Sequence, residues 1–471
     1  MYKSKIIEIF QSFDKAEKAG LRRWLRSPIH NEHQDVVKIV DYLLSRRKIT
    51  ATSVKRTRVY KQLYPAAKYN QYRLNHVLSF TVEAMEAYIS HLMSKNTPLV
   101  SFFSISDYYK HKSLPHLAEK ALQKAKQNLD KAPYQNEAYY HNSFLLEQAF
   151  FDLKGTELRQ QQTNLQAIFS DLTSFTIVAT LRNACTAISH RSLYQTDYTI
   201  PLLEAILQEA QSAVYQDNLV VQCYYNSYMA LSDSDNEVHF KTLKKRLLSQ
   251  KVPLPSEALK YLCLLAINYC IKRLNMGAEN YVQEVFDIYC YGLEHTIWME
   301  QGHLSHSTFK NIATAALRLK AYDWTEQFIQ NYGSKLRKSH RKDYTNYAKA
   351  KLHFEQGQFS KAQEIIVETD LIDLFISLDI KLLLLKIYWN LHEFDLLEAH
   401  LDSFSVYLNR KKVLAYHRQI YGNTISVTRK MMYANLDLRS EQKKLHQLIL
   451  HTNPLTDRPW LLAQLEGGIC Y

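Results

Sequence analysis

The chain has 471 residues, with 59 lysines and arginines against 46 acids and a formal net charge of +13. Ten glycines and ten prolines are about half the usual share of either residue, which excludes the turn-dense wiring of sandwiches, barrels and propellers and makes long helices the default. Gly467-Gly468 is the only glycine pair within three residues, so P-loop and dinucleotide fingerprints are absent.

The apolar run at Ile6-Ile7 is cut by Glu8, too early for a signal-peptide core, and export is not expected. Asp14 with Glu17 three residues on has the form of a capping box, opening a helix through Leu21, Trp24 and Leu25 that Ser27-Pro28 ends. Asn31 is placed to cap a second helix carrying Val36, Val37, Val40, Leu43 and Leu44, with Arg46-Arg47-Lys48 near its C-terminus, where the macrodipole favours cations. Ser53 is placed to cap a short helix to Tyr64-Pro65, and Asn70 to open a long one through Leu74, Val77, Leu78, Met85, Tyr88, Ile89 and Leu92. Residues 1–95 therefore read as a head of four helices. Beyond them a helix, a short polar turn and another helix recur, giving about twenty helices. Leu114-Pro115 opens one, Asn136 to Leu153 forms the next with Gly155 as its stop, Thr199-Ile200-Pro201 opens another, Asp233-Ser234-Asp235 is a capping loop, and Ser256 begins a helix ending near Gly277. The longest apolar stretches, Tyr261 to Ile271 and Leu219 to Ser232, are shorter than the ~20 residues a membrane span needs.

A periodicity near 35 residues follows. Ala321-Tyr322-Asp323-Trp324, Gln356-Gly357-Gln358-Phe359 and Leu391-His392-Glu393-Phe394 bring an aromatic back at 324, 359 and 394. In the middle copy Ala350, Gly357, Phe359 and Ala362 stand where two paired helices need a small residue, a turn, an aromatic and a second small residue. This copy resembles the tetratricopeptide repeat. The preceding copy keeps Ala315 and Trp324 with Gln327 at the second small position; the following one has Leu385 and Leu397. Residues 135–172 and 258–296 look like more degenerate pairs. The whole chain also resembles bacterial helical-repeat proteins whose head carries a Ser-Pro-x-x-Asn turn, here Ser27, Pro28 and Asn31, a resemblance that brings no activity with it. The resemblance implies an all-α fold, a right-handed α-solenoid of tetratricopeptide-like hairpins behind a basic N-terminal bundle. Its expected parts are 1–95, degenerate repeats over 96–300, the clearest repeats over 301–410, and capping helices over 411–471.

Stacked first helices line a concave face in such an array. The expected groove residues are Tyr344, Tyr347, Lys351 and Phe354, then Lys386 and Trp389, with Phe309, Ile312, Lys320 and Leu382 beside them. Aromatics with lysines suit an acidic extended or helical peptide, the alternative for Phe354, Leu382 and Trp389 being plain core between repeats. Charge supplies a second reading. Residues 1–80 carry 17 Lys or Arg against six acids, leaving 42 against 40 elsewhere. Arg22, Arg23, Arg26, Arg46, Arg47, Lys48, Arg56 and Arg58 are the candidates for a polyanion, nucleic acid or ribonucleoprotein, with Tyr60, Tyr64, Tyr69 and Tyr72 available for stacking.

Catalytic and metal chemistry find little support. Glu300-x-x-His303-x-x-His306 is the nearest approach to a ligand set, but no second copy exists and Gly302 breaks it as a helix, so it reads as a turn. His392-Glu393 with His400 lacks the spacing of a zinc protease, no Gly-x-Ser-x-Gly elbow occurs, and no cysteine has local support for activation. The six cysteines form no CxxC pair and read as reduced thiols in the cytoplasm. The expectation is a non-enzymatic cytoplasmic scaffold or adaptor, with no cofactor, no metal and no membrane, that binds a partner segment in its concave face. The alternative is nucleic-acid or ribonucleoprotein binding through the head.

Overall fold

The computed structural model describes the chain except for residues 97, 155–162, 195, 234, 250, 368–373, 411–414, 436–437 and 467–471. Gly155, Ser234 and the Gly467-Gly468 pair lie outside the described residues. The fold is all-α: 23 α-helices, one short 3₁₀ turn and one antiparallel hairpin of two-residue strands among the described residues. The chain divides into two compact units, Met1–Thr176 and Ile177–Tyr471. No described helix is long and apolar enough to cross a membrane.

The first unit holds α1 (Lys5–Ser12), α2 (Lys15–Leu25), α3 (Gln34–Leu44), α4 (Arg56–Leu63), α5 (Gln71–Asn96), α6 (Pro98–His111), α7 (Pro115–Asp130), α8 (Glu137–Lys154) and the start of α9 (Leu165–Tyr194). Helices α1 to α5 close over one core around Ile7, Leu21, Leu25, Ile39, Leu43, Leu74 and Met85. The head thus has five helices, not four, because Ile6, Ile7 and Phe10 form the buried face of an amphipathic first helix. Asp14 and Glu17 complete their capping box. Two expected caps do not form. The Asn31 amide donates instead to the carbonyls of Leu25 and His33, at 2.8 and 3.1 Å, and α3 starts after His33. The Ser53 hydroxyl is used in a turn with Thr50, and α4 starts after Lys55.

The second unit continues through α10 (Leu203–Ala210), α11 (Leu219–Ser232), α12 (Glu237–Ser249), α13 (Ser256–Asn275) and α14 (Tyr281–Glu294). The strands β1 (Met299–Glu300) and β2 (His303–Leu304) turn at Gly302, whose φ is +77°. After them come α15 (His306–Arg318), α16 (Tyr322–Gly333), α17 (Lys338–Glu355), α18 (Phe359–Val367), α19 (Leu374–Asn390), α20 (Phe394–Arg410), α21 (Ala415–Tyr433), α22 (Arg439–His451) and α23 (Arg458–Glu466).

Backbone geometry defines the repeat better than the aromatics do. In the α15–α16, α17–α18 and α19–α20 hairpins a left-handed residue (Lys320, Gly357, His392) stands two places before the second helix. The next amide bonds back five residues in each: Ala321 to Ala316, Gln358 to His353 and Glu393 to Tyr388, all 2.8 to 3.0 Å. This is the Schellman closure of a helix. Ser113 repeats it between α6 and α7, with Leu114 bonding to Tyr109. The register shifts the first copy by two residues: Tyr322, not Trp324, is equivalent to Phe359 and Phe394, and the second small position is Thr325, fully buried like Ala362 and Leu397, not the exposed Gln327. Lys320 belongs to this turn, past the end of α15, and not to the face of a first helix.

Candidate functional site

The residues expected to line a groove do come together, but as an interior. Tyr344, Tyr347 and Trp389 are buried, as are Phe309, Ile312 and Leu382; Phe354 is half-buried against Phe359. The expectation that Tyr344, Tyr347 and Trp389 face a partner is corrected accordingly. The cause is visible in the ion pairs. Lys310 of α15 reaches Asp379 of α19 at 2.5 Å, although α17 packs against both helices. Helices packed in series sit about 8–10 Å apart, so a side chain of α15 meets one of α19 where the row of first helices bends toward itself, and Tyr347 of the intervening α17 is buried.

Around Asp379 and Asp457 a polar network fills the bend. The Tyr421 hydroxyl of α21 donates to Asp379 at 3.2 Å, Lys386 pairs with Asp457 at 2.7 Å and lies over the Trp460 ring, and Lys351 donates to Thr314 at 3.3 Å. Burial, then the neighbouring Lys386, lowers the Lys351 pKa; burial, then Asp379, pushes the Tyr347 hydroxyl well above its ordinary range. His400 of α20 is the clearest case: burial holds it down to about 4, and its Nε2 donates to the Lys381 carbonyl at 2.8 Å. Lys351 and Lys386 thus serve contacts within the fold.

Basic residues of the head are better exposed. Arg22, Arg23, Arg26, Arg47, Lys48, Arg56 and Arg58 reach solvent, whereas Arg46 is half-buried over the Tyr42 ring. Arg22 and Arg26 share Asp41 at 2.7 and 2.9 Å, and Arg56 donates to Asn75. Of the four tyrosines, Tyr60 is in the core and Tyr64 is covered by Arg73; Tyr69 and Tyr72 are exposed. No group of three His, Cys, Asp or Glu among the described residues could hold a metal. The five described cysteines are free thiols whose pKa burial raises, Cys223 and Cys263 to about 12 and Cys290 to about 11, the opposite of an activated nucleophile.

Sequence reasoning missed a cleft of about 880 Å³ where α20, α21 and α22 splay. Ile425, Leu445 and Leu448 give it an apolar floor, and Ser405, Gly422, Ser426 and Ala434 leave it open. A Cβ on Gly422 would meet no atom within 4 Å, so no neighbour in the fold requires glycine there. Glycine nevertheless costs a helix interior about 1 kcal/mol relative to alanine. The rim carries Arg429, Lys430 and Lys444 against Glu441. Arg429 is paired with Asp402 at 2.5 Å and Lys444 with Glu441 at 2.9 Å, while Lys430 has no ion-pair partner among the described residues. The sequence signal for this cleft is Gly422 and Ser426, small residues four apart on one helix face. Comparison with protein-family models, curated proteins and solved structures yields no match, so the functional reading rests on this geometry.

Proposed function

We propose that the chain is a non-enzymatic, tetratricopeptide-like helical-repeat scaffold that holds an acidic amphipathic helix of a protein partner in the α20–α21–α22 cleft. The observation that carries this reading is the pairing of an apolar floor with a cationic rim around a helical glycine that nothing in the fold needs. A helix laid in such a groove buries side chains at i, i+3, i+4 and i+7 and turns its acids to the rim. Lys430 is ready to meet them, and surface ion pairs such as Lys444–Glu441, generally worth 1 kcal/mol or less, re-partner at little cost. Free thiols agree with a reducing compartment, the cytoplasm. The test is a photo-crosslinking residue at Gly422, with the exposed Glu326 position as control. Crosslinks to one acidic, helix-periodic partner segment, abolished by Lys430→Glu with Lys444→Glu, are expected. Equal crosslinking at both positions would overturn the assignment.

The exposed Arg22, Arg23, Arg47, Lys48, Arg56 and Arg58, with Tyr69 and Tyr72, favour a second reading: contact of the head with a nucleic acid or ribonucleoprotein. It requires affinity for single-stranded RNA that falls steeply with salt, and charge reversal at Arg56 and Arg58 that weakens binding across sequences. A gel shift absent even at low salt would exclude it.

A further inference from the structure

A second cavity, of about 190 Å³, lies between α14 and α16, both of which pack on α15. Trp324, Gln327, Phe328, Asn331 and Tyr332 line it from α16, at the i, i+3, i+4, i+7 and i+8 positions of one helix face. We propose that it takes the guanidinium of an arginine side chain presented by a protein partner.

The repeat does not call for tryptophan here. With Tyr322 aligned on Phe359 and Phe394, position 324 corresponds to Lys361 and Leu396, both exposed. Trp324 instead crosses to Phe286 of α14, ring centroids 4.8 Å apart at 77°, and stacks on Phe328 at 5.2 Å with 7° between the planes. Phe328 stacks in turn on Tyr332, at 5.2 Å and 27°. Three rings thus climb α16 one turn apart, Phe328 buried, Trp324 and Tyr332 half-buried beside the cavity. Tryptophan and tyrosine held in place by other rings, at a position that hairpin stacking leaves to solvent, are the residue types that anchor recognition.

Charge selects the ligand. Glu294 of α14 is the one charged side chain in the lining, and it has no ion-pair partner among the described residues. Cys290, one turn before it, stays a neutral thiol: burial, then Asp287 and Glu294, pushes its pKa up to about 11. The exposed side-chain amides of Gln327 and Asn331 make no hydrogen bond among the described residues and offer two carbonyl oxygens beside the carboxylate's two. Aromatic rings next to a carboxylate and amide acceptors suit a cation that both stacks and donates. A planar guanidinium with five N–H donors does both; a quaternary ammonium donates nothing, and a primary ammonium is a strongly hydrated point charge. No cation lines the cavity to hold an α-carboxylate, so the arginine belongs to a polypeptide and is not the free amino acid. At ~30 Å³ per water the volume equals roughly six waters, room for a guanidinium and its methylene stem.

The test is isothermal titration of the full chain with N-acetyl-arginine amide at low salt. A dissociation constant of about 1 mM is expected, which is what a single side chain of this size supplies. Glu294→Gln and Trp324→Leu should each weaken binding about tenfold, the ratio carried by one charge-assisted hydrogen bond or one cation–π contact. Leucine is the residue of the third copy at that position, so the hairpin accommodates it. Lys361→Ala, at the same position of the middle copy, should change nothing. The isosteric, uncharged N-acetyl-citrulline amide, the corresponding lysine amide and free L-arginine should all bind several-fold more weakly than the arginine amide. Absence of binding at about 10 mM, binding indifferent to Glu294→Gln and Trp324→Leu, or any of the three comparison ligands matching the arginine amide would overturn the proposal while leaving the cleft reading untouched.

Discussion

The network around Asp379 and the cleft between α20, α21 and α22 are built from the same residue types, lysine, arginine and tyrosine beside leucine and isoleucine, and put them to opposite uses. Around Asp379 each described cation finds a partner inside the fold: Lys310 on Asp379, Lys386 on Asp457, Lys351 on Thr314. In the cleft Lys430 has no ion-pair partner among the described residues, and Gly422 faces open space. Lysines on stacked helices therefore do not by themselves mark a recognition surface. The partners that packing brings within reach decide whether they hold helices together or face outward.

The largest expected effect breaks the inner network. Asp379→Ala removes the partner of Lys310 and the acceptor of Tyr421 and should cost about 3 kcal/mol in urea unfolding, since it leaves a half-buried ammonium uncompensated. A loss below ~0.5 kcal/mol would return these residues to the surface class.

His400 sharpens the same contrast through pH. Its pKa is lowered to about 4 in the fold, against an ordinary value of about 6.5, so the stability it contributes is complete above pH 6.5 and is lost as pH falls toward 4. Between pH 7 and 4.5 the wild type should lose about 2 kcal/mol more than His400→Gln. Parallel pH profiles for the two proteins would contradict that.

Lys351→Met comes next. Burial and Lys386 already disfavour the Lys351 charge, so an apolar side chain of similar length should hold or raise stability by about 1 kcal/mol. A loss of more than ~1 kcal/mol in unfolding would mean that its charge is wanted. The smallest stability effect belongs to the cleft: Lys430→Glu with Lys444→Glu should stay within about 0.5 kcal/mol of wild type in unfolding, as surface substitutions do.

Much of the helical plan was legible because its signals are local. Asp14 with Glu17, Asn70 accepting from the Arg73 amide at 2.9 Å, and Pro115 at the first turn of α7 act within one helical turn of their own positions. Asn31 and Ser53 do not cap because their side chains bond to other backbone groups nearby, Leu25 and His33 for Asn31 and Thr50 for Ser53. The repeat was visible as recurring aromatics, but Tyr322 and Trp324 compete for one register, and only the left-handed residue at Lys320 decides between them. The burial of Tyr344, Tyr347 and Trp389 was not legible: spacing tells which helix face a residue is on, while the bend that lets Lys310 reach Asp379 comes from packing summed over three hairpins. The cleft was hidden for the complementary reason, since Gly422 and Ser426 announce themselves by what they lack.

The most direct measurement compares partner occupancy, by crosslinking at position 422, in two backgrounds: Lys430→Glu with Lys444→Glu, and Tyr347→Phe. Loss of the crosslink in the charge-reversed protein and its retention in Tyr347→Phe is the predicted result. Retention in the first and loss in the second would place recognition in the inner bend and contradict the assignment of the cleft.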